Sequence, residues 1–168
     1  MHNSPDGAQT RRQVRSMASN RRGQPPLFPL LTSHINLSAQ ILASCSYDDT
    51  IKLFMDDPSD DWFCFSTLEG HASTVWSIAW SPKGSYLASA SDDKTVRIWK
   101  RIAEHKWVCV LVISGHERSV YSVSWGKGKG KQGEDTLGWL ASASGDGGVR
   151  IWELSVSVIQ SLFTCSIN

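Results

Sequence analysis

The stretch that decides the reading runs GHASTVWSIAW over residues 70–80 and, after a short turn, LASASDDKTVRIWK over 87–100. The chain writes it a second time, as GHERSVYSVSW over 115–125 and LASASGDGGVRIWE over 140–153, with the two Gly-His pairs 45 residues apart. A third copy, LASCSYDDTIKLFM over 42–55, lacks the Gly-His, and its Phe54 precedes Trp99 by the same 45 residues. Self-similarity at this period implies one supersecondary unit stacked repeatedly, because a unit of that size cannot bury its apolar face alone.

Inside the clearest copy, apolar and polar residues alternate in short runs, the pattern of half-buried strands. Thr74–Trp80 reads as one strand, and Ser81-Pro82-Lys83-Gly84 as a turn with Pro and Gly where a β-turn favours them. Ser85–Ser91 is a second strand, Asp92-Asp93-Lys94 a turn, Thr95–Lys100 a third strand and Lys106–Ile113 an outer one. Four antiparallel strands make one blade of a propeller. With Gly-His near one end and Trp99-Lys100 or Trp152-Glu153 near the other, the copies resemble the WD-repeat β-propeller family. The resemblance implies an all-β fold with about two complete blades and one partial one, an incomplete arc of an expected seven-bladed propeller. The expected layout is a disordered or atypical segment over 1–37, a partial repeat over 38–68, and repeats over 69–113 and 114–165. The run SVIQSLFTC (157–165) is expected to supply the last outer strand.

The family pattern also implies a polar chain in each blade, in which a Trp donates to a Ser, the Ser to a His and the His to an Asp. The matching residues are Trp99, Ser89, His71 and Asp93, then Trp152, Ser142, His116 and Asp146. The third copy keeps Ser44 and Asp48, but Phe54 has no hydrogen to donate, so its chain is expected to be incomplete. Ser, His and Asp in contact also describe a nucleophilic triad, which would make Ser89, His71 and Asp93 a hydrolase site. Duplication in successive copies and the lack of a G-x-S-x-G elbow favour architecture over catalysis. Trp76 and Tyr121 occupy the same place in their copies, and in this family that position tends to face the rim around the central channel. The residue before each turn Asp, here Tyr47, Asp92 and Gly145, does likewise. Exposed aromatics there read as binding anchors, or else as caps on inter-blade packing.

The remaining features bound the function. A net charge of +1 over 168 residues gives no global field toward nucleic acid or a membrane surface, and no apolar run approaches a bilayer's thickness. Cys45, Cys64, Cys109 and Cys165 contain no C-x-x-C pair, so no zinc site, cluster site, disulfide scaffold or other cofactor is expected. GKGKGKQGED (126–135) lacks the ending of a phosphate-binding loop and reads as an enlarged hairpin turn, with a contact loop for an acidic partner as the other reading. The start of the chain, with Arg11, Arg12, Arg15, Arg21 and Arg22, has a disorder-like composition, with a targeting role as the other reading. Pro25, Pro26 and Pro29 interrupt any regular element before the first copy. LASCSYDDTIKLF, DDPSDDWFCFSTLEGH, STVWSIAW and LASASDDKTVRIWK are moreover similar to WD-repeat subunits of the cytosolic iron–sulfur protein assembly machinery. That resemblance implies a non-enzymatic adaptor in the cytoplasm, and also the nucleus, whose partners are iron–sulfur assembly and targeting subunits and apoprotein clients. A scaffold of another complex, such as a ubiquitin-ligase substrate receptor or a chromatin subunit, would share every architectural argument.

Overall fold

The computed structural model describes residues 30–36, 40–56, 62–127, 135–157 and 159. The expectations for the Arg-rich start and for the body of the Gly-Lys loop lie outside these residues. Among the described residues, eleven strands form three antiparallel sheets. The first sheet comprises β1 (Leu30–Asn36), β2 (Ile41–Ser46), β3 (Ile51–Asp56) and β4 (Trp62–Leu68) in that order. The second comprises β5 (Val75–Trp80), β6 (Tyr86–Ser91), β7 (Val96–Ala103) and β8 (Lys106–Ile113), and the third β9 (Val120–Gly126), β10 (Thr136–Ser144) and β11 (Val149–Ser155). Each sheet is a meander, as short turns between period-2 strands dictate.

Among the described residues two sheets have four strands and one has three, but the three-stranded one is not where the repeat pattern puts it. The segment expected to be disordered or atypical holds β1, whose Ile35 pairs with Leu42 and Ser33 with Ser44, so the first blade is complete and begins at Leu30. The three-stranded sheet is the last. Ser157 and Ile159, expected in an outer strand, lie in a helical turn with Val156, and Ile159 is buried against the core; 160–165 lie outside the described residues.

The blades pack face to face and touch most closely at their first strands, β1 against β5 and β5 against β9. That is the geometry of a fan opening from an axis. Alternation along each strand sends residues to opposite faces. Leu87 joins Val75, Ile78 and Trp99 against Ile41, Ala43, Ile51 and Leu53 of the first blade. Ala88, Ala90, Val96 and Ile98 instead pack against Val120, Val123 and Leu140 of the third. Polar ties fix the stagger between blades: Thr32 Oγ1 donates to the Trp76 carbonyl at 3.0 Å, and Trp80 Nε1 to the His34 carbonyl at 3.1 Å. Among the described residues, no helix is long and apolar enough to cross a membrane.

Candidate functional site

The sheets bring together both polar chains. In the second blade Trp99 Nε1 donates to Ser89 Oγ at 2.9 Å, Ser89 Oγ lies 2.7 Å from His71 Nε2, and His71 Nδ1 lies 2.7 Å from Asp93 Oδ2. The third blade repeats this as Trp152–Ser142 at 3.0 Å, Ser142–His116 at 2.8 Å and His116–Asp146 at 2.9 Å. Indole N–H is donor only and carboxylate acceptor only, so the protons must run one way. The Ser hydroxyl donates to Nε2, and the imidazole, carrying its hydrogen on Nδ1, donates to Asp. Burial holds the His71 pKa below its ordinary 6.5, despite the Asp93 carboxylate beside it, and so favours the neutral ring this chain requires. Burial alone would raise the Asp93 carboxyl, but hydrogen bonds from Thr95 and His71 outweigh it and hold the group at about 2. The Asp146 carboxyl is likewise held well below the carboxylate range, first by the His116 hydrogen bond and then by the Glu117 and Gly148 backbone.

Local backbone explains the Gly before each His. Gly70 has φ 151°, and a Cβ there would lie 3.0 Å from the Arg97 guanidinium and 3.3 Å from the Trp99 ring. Gly115 repeats the conformation against Arg150 and Trp152. Each Asp also anchors its own turn: Asp93 Oδ1 accepts from Thr95 N and Asp146 Oδ1 from Gly148 N. The first blade keeps that turn, with Asp48 Oδ1 accepting from Thr50 N, but Lys52 Nζ takes the other oxygen at 2.6 Å. Ser44 Oγ, buried and two residues along β2 from the Leu42 that pairs with Phe54, has no partner among the described residues. The position 45 residues before His71 is Pro26, which supplies no imidazole.

Ser89 is fully buried and its oxygen is flanked by the indole and the imidazole. A nucleophile must meet its substrate at about 3 Å, and this hydroxyl is walled in on every side.

The other candidate residues gather on the edge of the blades where the second and third strands turn. Tyr47 of the first blade, Trp76 of the second and Tyr121 of the third form a row, with ring centroids 5.5 and 5.7 Å apart and planes crossed at 78° and 71°. The rings therefore both bridge blades and face outward: Tyr47 is 44% exposed and Tyr121 53%. Asp92 sits beneath the row, where its Oδ1 accepts from Trp76 Nε1 at 3.5 Å and, in a short hydrogen bond, from Ser119 of the next blade. Gly145 leaves the space that the Tyr121 ring fills. Sequence reasoning did not find Ser119, nor Ser91 and Ser144, whose hydroxyls donate to the Ser73 and Arg118 carbonyls and accept from the turn amides. The second Ser of each S-x-S, at 46, 91 and 144, recurs in register and was the available signal; nothing local marks Ser119.

Antiparallel blades fanned about their first strands, each of the last two pinned by a Trp–Ser–His–Asp chain, define a β-propeller repeat protein. Residues 62–100 and 107–153, just over half of the chain, match the family described as WD domain, G-beta repeat. The chain belongs to that family. A stretch of 46 residues is 52% identical to the "Probable cytosolic iron-sulfur protein assembly protein 1" of Pyricularia oryzae, covering 27% of this chain and 10% of the relative. Over 41 residues it is 54% identical to the "Probable cytosolic iron-sulfur protein assembly protein CIAO1 homolog" of Ixodes scapularis, covering 24% of this chain and 13% of that one. "Protein transport protein SEC13" of Candida albicans is 45% identical over 40 residues, 24% of this chain and 13% of its own. The matched stretch thus spans about a tenth of the length of these relatives.

Proposed function

We propose that this chain is a protein-binding scaffold, not an enzyme, and that it serves cytosolic iron–sulfur protein assembly as an adaptor between assembly or targeting subunits and their apoprotein clients. The observation that carries the scaffold reading is the row Tyr47–Trp76–Tyr121. Three blades each contribute one ring to a single outward edge, which suits a partner surface and has no counterpart around the buried Ser89. Tyr47, Trp76, Asp92 and Tyr121 are its contact residues, since rigid aromatics beside a polar group make the most effective interface anchors. The assignment to iron–sulfur assembly, and with it to the cytoplasm, rests on identity above half to relatives bearing that name. The likeness to a transport protein shows that the repeat alone does not choose the partner.

Affinity capture with the tagged full chain tests both levels. Recovery of iron–sulfur assembly subunits, lost in Tyr121→Ala, is the expected result. Recovery of ubiquitin-ligase or chromatin subunits in their place overturns the assignment. Labelling of Ser89 by an active-site-directed serine reagent would sink the non-enzymatic reading.

A further inference from the structure

The aromatic row carries a charge that the described fold does not neutralise. The three turns between second and third strands hold Asp48, Asp49, Asp92, Asp93 and Asp146 against Lys94 alone. Asp48 pairs with Lys52, while Asp93 and Asp146 each accept from a buried imidazole and from turn amides. Asp92 is different. Among the described residues its side chain accepts only from the Trp76 indole and the Ser119 and Ser73 hydroxyls, with no turn amide or imidazole on it and no ion-pair partner. Its Oδ2 receives only a long 3.4 Å contact from Ser73, so this oxygen keeps acceptor capacity. Asp92 is half-buried beside rings whose faces are electron-rich.

Carboxylate and ring faces attract the same thing. A cation over an aromatic face gains from the ring quadrupole, and a guanidinium can stack flat on a ring while its N–H fork reaches a carboxylate. Ammonium, a compact and strongly hydrated point charge, satisfies only half of that arrangement. We infer that Trp76, Tyr121 and Asp92 form a subsite for an arginine side chain presented by a partner protein, the guanidinium lying against the rings and donating to Asp92 Oδ2. This deepens the scaffold reading above and rests on it for the nature of the partner.

The probe is acetyl-Gly-Arg-Gly-amide, titrated into the isotope-labelled full chain while the indole N–H resonances are followed. Trp76 is the reporter, since its N–H points at Asp92, and Trp99 is the internal control. The arginine peptide is expected to shift the Trp76 resonance to saturation, more weakly at high salt. The citrulline peptide, equal in shape and neutral, is expected to bind at least tenfold less tightly. Asp92→Asn keeps an oxygen for Ser119 and Trp76, so the fold is retained, and it too is expected to cost at least tenfold; Tyr121→Ala, at an exposed ring, gives a second reading. Equal binding of arginine and citrulline peptides, unchanged affinity in Asp92→Asn, or preference for the corresponding glutamate peptide overturns the subsite. Capture of assembly subunits in the absence of arginine binding would remove the subsite and leave the adaptor. Arginine binding without that capture would do the reverse.

Discussion

Ser89 is where one hydroxyl meets two obligations: its oxygen accepts from Trp99 and its hydrogen goes to His71. Ser89→Ala leaves an indole N–H and an imidazole nitrogen unpaired in a dry site, each costing about 1–3 kcal/mol. Urea unfolding of this variant should show a loss of about 2–4 kcal/mol; a loss below half a kilocalorie would mean that the chain of hydrogen bonds is idle. Acid should act on the same residues in two stages. The folded pKa of His71 lies below its ordinary 6.5, so the unfolded chain takes up that proton first. Stability from the neutral ring is whole above pH 6.5 and drains away as the pH falls through the lower folded value. Asp93, held at about 2 against an ordinary 3.8, keeps its contribution until the pH falls below 3.8 and loses it toward 2. Melting temperatures should therefore fall first below pH 6.5 and again below 3.8, and a flat profile from 7 to 5 would exclude the His71 part. At this scale the sequence was legible, because Trp follows Ser by 10 residues in both copies and a Gly-His opens each, while the loop between the first two strands lets the His-to-Ser distance vary from 18 to 26. The Asp92–Ser119 link was not, because it joins two blades and its register depends on how they stack.

The first blade shows what an element keeps when that polar chain is incomplete. Its β3 carries a register shift just before Phe54, as β7 does just before Trp99, and Phe54 pairs with Leu42 as Trp99 does with Leu87, so the two rings hold equivalent positions. Phe54→Trp should therefore place an indole N–H on the unpartnered Ser44 and raise stability by about 1 kcal/mol. A destabilised variant would show that the first blade lacks room for the larger ring. Most strand ends were legible to within a few residues, since Pro, Gly and Asp mark the turns. β1 was not. LLTSHIN has neither the Gly-His before it nor the aromatic-x-x-x-aromatic spacing of VWSIAW, and three prolines crowd its approach. Its pairing with β2 supplies the order that its own sequence does not advertise. The last sheet erred the other way: Val156 and Ile159 suit a strand, but they lie in a helical turn that buries Ile159 against the core.

Across the whole molecule, the faces of the blades are not equivalent. Val96 and Ile98 are buried under the third blade, whereas Val149 and Ile151, their counterparts one copy later, are 71% and 69% exposed among the described residues. Val149→Thr with Ile151→Thr should leave the melting temperature unchanged and reduce self-association, read by light scattering, because exposed apolar faces of this kind recruit others. The same pair of changes at Val96 and Ile98 should destabilise by about 2 kcal/mol or more, since each hydroxyl would enter the core unpaired. The copies in sequence and the sheets in space are also out of phase. The match that starts at 107 takes β8 with it, yet β8 is hydrogen-bonded to β7 of the blade before. A protease nick at the Glu104-His105 turn, between the two matched stretches, would thus sever the backbone without parting the fragments. They would remain laced by one ladder, as a buckle holds two straps that were never a single piece.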